Sequence, residues 1–409
     1  MLFNSFVYLF LFLPITLCFF VFLNNIHSIR LSKGFLFCSS LIFYSYGSDT
    51  NLSLLLFSIF FNYYFSIAIS NYNFYKKRKA MAFLAVSCSL LILVFYKYIN
   101  ISTDTINSLF LTNFDILHVT FPLAISFFTI QQIAFLIDCY KRETSTYNIL
   151  DYGIFVAFFP QLIAGPIVLH HEIMPQLFEK KLLNYKNIAL GFYIFTVGLF
   201  KKVIFADTFA VWADSGFKTP IDLSFFEAWA TSLSYTFQIY FDFSGYTDMA
   251  IGSALLFNIS LPMNFNSPYK SKNIQEFWRK WHITLSRFLK NYIYIPLGGS
   301  RNGNFRTYIN FMITFIIAGL WHGAGWTFLL WGVLHGIALI IHRCWIIIGF
   351  KLWNWLSWLI TFSFINITWV FFRANSLDDA LTILTTMFSL KNIVVYQFLQ
   401  NRLSFLSKY

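Results

Sequence analysis

The chain is poor in charged residues and in paired cysteines, and each shortage excludes a class of protein. Only 11% of its 409 residues are charged and 58% are hydrophobic, whereas a soluble protein has about 25% charged residues. The cysteines show no C-x-x-C pairing, so the sequence indicates neither a disulfide framework nor a zinc site. A P-loop, a dinucleotide fingerprint and an H-E-x-x-H motif are missing, which removes the usual reasons to propose ATP hydrolysis, nicotinamide chemistry or zinc hydrolysis. The composition is that of a polytopic membrane protein.

Long apolar runs predict an all-α fold of membrane helices. A span needs about 20 apolar residues, and the longer runs cover residues 2–23, 51–69, 81–99, 119–137, 188–211, 228–257, 308–320, 327–341 and 355–372. Shorter pieces at 35–46 and 152–168 are typical of tilted or re-entrant segments, which brings the total to about eleven membrane elements. The first run lacks a charged n-region and a cleavage site, so we expect a retained helix. Without a visible boundary, we expect one membrane domain over residues 1–409.

The basic residues predict the orientation of these helices. Short loops rich in Lys and Arg stay in the cytoplasm, which places residues 76–79, 141–142 and 180–181 on that side. Residues 100–118 contain no Lys or Arg and are expected outside. Residues 262–306 contain eight basic residues and one acid, Glu276, for a local net charge of +7. This segment is expected to anchor the chain to anionic lipid, at about 1 kcal/mol per basic residue, to bind a phosphorylated or nucleotide-bearing substrate through charge-assisted hydrogen bonds, or to do both.

A first polar cluster interrupts the apolar run at residues 238–248. Gln238 and Asp242 are separated by four residues and share one helix face. Because an unpaired buried carboxylate is costly, we expect this face to meet a cavity or a basic partner. Ser244 and Tyr246 follow directly. Alternatively, these polar groups hold helices together by hydrogen bonds worth about 1 kcal/mol each.

A second cluster lies in the basic segment, where aromatic and aliphatic residues recur at helical spacing from Trp278 to Leu289. The pattern predicts one amphipathic helix at the cytoplasmic face, with His282 one turn from Arg279. Spacing alone leaves open whether His282 is an interfacial residue or a catalytic one.

A third cluster, A-G-L-W-H-G-A-G-W at residues 318–326, places His322 between apolar flanks that offer no solvent-facing reason for a histidine. An ionisable residue at membrane depth indicates a functional site. The neighbouring glycines allow close approach of a backbone or substrate. Burial favours the neutral imidazole, which a general base requires. The alternative, a histidine that only packs between helices, fits His335 and His342 better.

These motifs together resemble the membrane-bound O-acyltransferase family, in particular the bacterial branch that O-acetylates alginate and peptidoglycan. The resemblance runs from about Phe121 to Phe388 and is carried by FPLAISFF at 121–128, PQLIAGPI at 160–167, FDFSGYTDMA at 241–250, FWRKWHITLS at 277–286, PLGG at 296–299 and WHG at 321–323. A further match at the C-terminal end is T-W-V-F-F-R-A-N at 368–375, after which Ser376 is expected to cap a last helix.

The resemblance implies a fold of helices around a central funnel, with the catalytic histidine at His322 and a second essential position at His282. Acetyl-CoA is the implied cytoplasmic donor, and no metal is implied. His322 would be the base, while His282, Trp321 or backbone N–H groups of residues 323–325 would contact the oxyanion. The remaining candidates for substrate or channel contacts are Gln238, Asp242, Ser244, Tyr246 and Arg279.

The implied location is the bacterial inner (cytoplasmic) membrane, where the chain passes several times among membrane lipids. The acetyl group would leave on the outer side, either to an extracytoplasmic acceptor protein or to a cell-envelope polysaccharide, and no nucleic acid is involved. Relatives usually continue through further membrane helices after the C-terminal match, and those helices would supply partner contacts or channel closure. Two alternatives stay open: transfer of D-alanine to teichoic acid, and a transporter that conducts a substrate without chemistry.

Overall fold

The computed structural model describes residues 1–26, 29–46, 50–71, 74–112, 114, 119–144, 147–178 and 184–389. These residues form helices and contain no strand, which confirms the predicted all-α fold. They divide into two compact units. Unit 1 comprises Met1–Leu199 and Gly245–Asn264, and unit 2 comprises Phe200–Ser244 and the described part of Phe265–Tyr409. The single membrane domain over residues 1–409 stays a prediction.

Apart from the last residue of α9, the first nine helices belong to unit 1: α1 (Leu13–Asn25), α2 (Ile29–Ser45), α3 (Thr50–Asn71), α4 (Tyr75–Phe110), α5 (Ile125–Lys141), α6 (Ile149–Ala157), α7 (Phe159–Leu162), α8 (His170–Leu177) and α9 (Tyr185–Phe200). Helix α11 (Phe225–Leu256) supplies residues to both units. Unit 2 also contains α10 (Asp207–Lys218), α12 (Ile274–Lys280), α13 (Ile283–Leu289), α14 (Gly303–His322), α15 (Trp326–Ile348), α16 (Asn354–Arg373) and α17 (Leu377–Phe388). Short π-helical turns occupy Tyr8–Phe12, Lys201–Ala206 and Lys290–Tyr294.

Six helical stretches of the described chain are long and apolar enough to cross a membrane: Tyr8–Asn25, Asn51–Asn71, Tyr75–Asn107, Tyr185–Lys218, Trp326–Ile348 and Asn354–Arg373. Each overlaps one of the apolar runs seen in the sequence. The protein is therefore a polytopic membrane protein, as predicted. The total of eleven membrane elements and the central funnel stay predictions.

The stretch at 152–168 does not form a continuous helix. Helix α6 ends at Ala157, α7 covers four residues, and the backbone then runs without helix to Leu169. Its side chains are almost all buried. Irregular backbone is tolerated at membrane depth only where protein covers it. This burial is compatible with the predicted re-entrant segment and excludes a spanning helix at this point.

Two of the basic clusters lie at the same end of unit 1. The hydroxyl of Tyr140, next to residues 141–142, donates to the hydroxyl of Tyr75, next to residues 76–79, at 2.7 Å. At the opposite end of α4, the Asn100 amide donates to the carbonyl of Val119 at 3.0 Å. The two clusters therefore lie at neighbouring ends of α4 and α5, and their cytoplasmic location stays a prediction. The third cluster, residues 180–181, and most of residues 113–118 lie outside the described residues.

In unit 2, α14 and α15 cross at glycines. A Cβ atom on Gly319 would collide with the carbonyl oxygen of Phe328, and one on Gly332 would collide with that of Phe315. Such crossings of small residues let two helix backbones touch, which stabilises membrane helix pairs by van der Waals packing. Because Gly319 lies one turn before the end of α14, this crossing fixes the position of His322 against the start of α15.

The predicted single amphipathic helix around His282 is wrong. Helix α12 ends at Lys280, Trp281 is extended, and His282 has a left-handed backbone with φ of 43° before α13 begins. Trp278 and Trp281 are both buried by this break. Burial of large aromatic side chains outweighs the modest helix preference of the intervening residues. His282 is consequently buried, with 1% exposure, and is not an interfacial residue.

Candidate active site

His322 is the last residue of α14 and lies within a group of aromatic rings. Gly323 follows in an extended conformation, so the helix ends at the histidine. The imidazole centroid lies 5.2 Å from the Trp331 ring and 5.1 Å from the Phe372 ring, both approached edge to face. We define the aromatic cluster as Trp278, Trp321, His322, Trp331, His335, Trp369 and Phe372. Its members come from α12, α14, α15 and α16, and all belong to unit 2.

His282 lies beside the aromatic cluster. Its ring centroid is 6.2 Å from that of Trp321 and 4.8 Å from that of Phe243 on α11. Burial, and in second place the nearby His322, hold the pKa of His282 well below its ordinary value of 6.5. The sequence suggested that His322 would be the buried histidine. The structure reverses this, because His322 is partly exposed at the helix end while His282 is covered on all sides.

The structure therefore brings together three of the candidate site residues, His282, Trp321 and His322. It joins them to Phe243, Trp331, His335 and Phe372, which the sequence reasoning did not select. Trp331 and His335 are four residues apart on α15, so a shared helix face was visible in the sequence. Their contact with His322 depends on how α15 packs against α14 and α16, which no local pattern reveals.

His335 and Trp331 carry two unusual polar atoms. The indole N–H of Trp278 donates to Nδ1 of His335 at 3.2 Å. The other ring nitrogen of His335, Nε2, is buried and has no hydrogen-bond partner among the described residues. The Nε1 atom of Trp331 is likewise buried and has none in the same part of the chain. Buried polar groups are nearly always satisfied, so this pair needs an explanation.

Asp242 belongs to a different polar group. Its carboxylate pairs with Lys202 at 2.6 Å, and Lys202 also pairs with Asp207 at 2.8 Å. The expectation of a basic partner for Asp242 is confirmed. Lys202 lies in the π-helical turn Lys201–Ala206, a feature often found at functional sites.

The other four candidates differ in their surroundings. Gln238 and Ser244 each have one buried side-chain oxygen without a partner in the described part of unit 2. Tyr246 belongs to unit 1, where its ring stacks on Phe3 at 4.7 Å. Arg279 is exposed near the end of α12.

The basic segment presents its charges outward. Lys280 pairs with Glu276 at 2.7 Å, and the hydrogen bonds from Lys272 and Lys280 hold the pKa of Glu276 below its ordinary value despite the opposing effect of burial. Exposed positions in this segment are Lys270, Lys272, Arg279, Lys290, Arg301 and Arg306. Within the described ranges, no group of three or more His, Cys, Asp or Glu residues could hold a metal ion.

Comparisons with known proteins point to one family. The sequence profile of the membrane-bound O-acyltransferase family matches residues 113–377. The peptidoglycan O-acetyltransferase of Helicobacter pylori is 47% identical, and the match covers 100% of this chain and 84% of that protein. The probable alginate O-acetylase AlgI of Pseudomonas aeruginosa is 39% identical over 95% of this chain and 75% of its own length. The teichoic acid D-alanyltransferase of Streptococcus thermophilus is 26% identical over 55% of this chain and 57% of its own.

The profile covers more than half of the chain, and it includes His282, Trp321 and His322. The two acetylating relatives match almost all of it. The chain therefore belongs to the membrane-bound O-acyltransferase family and is an acyltransferase.

Proposed function

We propose that the protein transfers an acetyl group from a cytoplasmic donor, acetyl-CoA, toward the O-acetylation of a cell-envelope polysaccharide. The observation that carries this proposal is the position of His322. It is a partly exposed imidazole at a helix end, held among aromatic rings, in a chain that matches two acetylating relatives over nearly its whole length. Peptidoglycan is the first acceptor to test, because the relative with 47% identity carries that name, and an alginate-like polysaccharide is the second.

The arrangement suits acyl transfer from a thioester to a hydroxyl. That reaction needs a base for the hydroxyl proton, donors for the developing oxyanion and a site that excludes water. We assign the base to Nδ1 or Nε2 of His322. The rings of Trp321, Trp331 and Phe372 cover the imidazole and limit the access of water. His282 supports the site from beside Trp321, and its lowered pKa keeps it uncharged.

The basic segment at 262–306 supports a donor that carries phosphates. Six of its eight basic residues are exposed, and Arg and Lys bind phosphate through short charge-assisted hydrogen bonds. Arg279 is the candidate nearest to His282 in sequence. We place this surface at the cytoplasmic face of the inner membrane, where acetyl-CoA is available. The same charges also attract anionic lipid, and both roles are compatible.

The acetyl group leaves toward the outer face, where the polysaccharide lies. An extracytoplasmic acceptor protein either receives it first or is bypassed by direct transfer to the glycan. D-alanyl transfer is the weaker candidate, since that relative matches at 26% identity over 55% of this chain. A transporter without chemistry is disfavoured by the family to which the chain belongs.

The test is the transfer of radiolabelled acetyl from acetyl-CoA in membranes of a host that makes this protein and whose own envelope is free of O-acetyl groups. We expect alkali-labile label on peptidoglycan or on an envelope protein, in proportion to the amount of this chain. A parallel incubation supplies a D-alanyl carrier protein in place of acetyl-CoA. Label from the D-alanyl carrier but none from acetyl-CoA contradicts the proposal and favours the second candidate.

A further inference from the structure

We propose that Trp331 and His335 bind the carbonyl oxygen of the acyl donor through their ring N–H groups and stabilise the oxyanion formed during transfer. This inference rests on the proposed function and adds two residues to its site. It replaces the expectation that Trp321, His282 or the backbone of residues 323–325 makes this contact.

The hydrogen bond from Trp278 decides which nitrogen of His335 carries the proton. Because the indole N–H of Trp278 donates to Nδ1 of His335 at 3.2 Å, Nδ1 is the acceptor. A neutral imidazole has one N–H, which must then lie on Nε2. This N–H is fully buried and finds no acceptor among the described residues. The hydrogen bond from Trp278 therefore makes Nε2 of His335 a donor that has no acceptor among the described residues.

Trp331 supplies the second donor. An indole nitrogen donates and cannot accept, and the Nε1 atom of Trp331 is buried with no acceptor in the described part of the chain. The Trp331 and His335 rings are 4.7 Å apart at their centroids, and both residues lie on one face of α15. The Trp331 ring also contacts His322 at 5.2 Å. An acyl oxygen bound by the two N–H groups would therefore lie next to the proposed base.

Other tryptophans in unit 2 satisfy their indole N–H within the protein. Trp369, in the same cluster, donates to the hydroxyl of Tyr269 at 3.1 Å. Trp345, further along α15, donates to the carbonyl of Phe350 at 2.7 Å. Buried donors that are left unsatisfied destabilise a fold. The presence of two such donors beside His322 fits a site in which the folded protein is less stable and the donors contact the substrate.

The step balances with the groups named. The acceptor hydroxyl gives its proton to His322 as its oxygen forms a bond to the carbonyl carbon, and the carbonyl π electrons move to the oxygen held by Trp331 and His335. When the carbonyl re-forms, the carbon–sulfur bond breaks and the thiolate leaves. The N–H groups stay protonated throughout, because they only donate hydrogen bonds.

The first test compares acetyl-transfer kinetics of Trp331→Phe and His335→Phe with those of Trp345→Phe, a matched tryptophan on the same helix. Removal of one oxyanion donor lowers kcat by about 10²–10³-fold, and we expect this with little change in KM. Trp345→Phe should stay within about twofold of the parent. Trp278→Phe should lower kcat less, and should add nothing to His335→Phe, because it acts only by fixing the His335 proton. Gln can donate from its amide, so His335→Gln should recover part of the loss.

The second test does not depend on turnover. A ketone analogue of the acetyl thioester with a 13C-labelled carbonyl is bound to the purified protein, and its carbonyl stretch is read by infrared difference spectroscopy. We expect a lower frequency in the parent than in water, and a smaller shift in Trp331→Phe and His335→Phe. Size-exclusion profiles and thermal midpoints identify any variant that fails to fold, in which case the other donor variant supplies the comparison.

The outcomes separate the two proposals. A parent that transfers acetyl while both donor variants keep kcat within about twofold overturns the oxyanion role and leaves the proposed function standing. A parent that transfers no acetyl overturns the proposed function, and the carbonyl stretch then decides the binding role. The same carbonyl frequency in the parent and both donor variants overturns the inference in either case.

Discussion

A single methyl group at Gly332 tests whether the close crossing of α14 and α15 positions His322. In Gly332→Ala the new Cβ collides with the Phe315 carbonyl oxygen and lies 3.1 Å from its carbon and 3.4 Å from the Gly319 Cα. These are backbone atoms, so the helices must separate. Overpacking of this kind costs about 1–3 kcal/mol. A displacement of about 1 Å at a reacting group lowers the rate about 100-fold. We therefore expect a large loss of acetyl transfer together with a moderate loss of thermal stability.

The control for this change is Gly34→Ala on α2, where a Cβ meets no atom within 4 Å. A glycine-to-alanine change without steric conflict stabilises a helix by about 0.4–1 kcal/mol through the unfolded state. The assay measures thermal midpoint and acetyl transfer for both variants in the same detergent. If Gly332→Ala resembles Gly34→Ala in both measurements, the close crossing does not hold His322 in place.

Three further predictions concern polar groups. Lys202→Met should lower the thermal midpoint more than Asp242→Asn, because it leaves two carboxylates without their cation. The half-exposed Asp242 contributes only about 1 kcal/mol or less. Equal midpoints for the two variants, or additive effects in a double-mutant cycle, contradict the bridge. Asn366→Ala should destabilise by about 1–3 kcal/mol, because buried Asn366 accepts from Ser232 at 2.9 Å and donates to Thr236 at 2.8 Å, and an unchanged midpoint argues against that link between α11 and α16. Because the pKa of His282 is lowered in the folded protein, the imidazole binds a proton below about pH 6.5 in the unfolded chain but stays neutral in the folded chain. Its stabilising contribution is present above that pH and is lost as the pH falls, so the midpoint of the parent should drop more on acidification than that of His282→Gln; parallel pH profiles contradict this.

The elements that depend on local pattern were predictable from the sequence. Apolar runs gave the positions of the long helices, and Ser376 caps α17 by accepting from the amide of Asp379 at 3.0 Å, as its residue type indicates. The sequence predicted a basic partner for Asp242 but did not identify Lys202 as that partner. Lys202 lies 40 residues earlier on another helix, and only the packing of these helices brings the two charges together.

The parts of the site that depend on tertiary packing were not predictable. Helical spacing from Trp278 to Leu289 continues through His282, yet the chain breaks there because both tryptophans gain more by burial than the helix gains by continuing. The relative exposure of His282 and His322 follows from that break and from the glycine crossing. The sequence assigned His335 to helix packing and did not single out Trp331, because their unsatisfied N–H groups become visible only when every neighbour has been placed.

The role of His322 as the base for acetyl transfer is tested by the kcat of His322→Gln measured beside that of His342→Gln. Both variants replace a histidine of unit 2 with a neutral amide, and His342 lies on α15 outside the aromatic cluster. Loss of a general base lowers kcat by about 10²–10⁴-fold, which we expect for His322→Gln alone. A kcat for His322→Gln within about twofold of that for His342→Gln would mean that His322 is not the base.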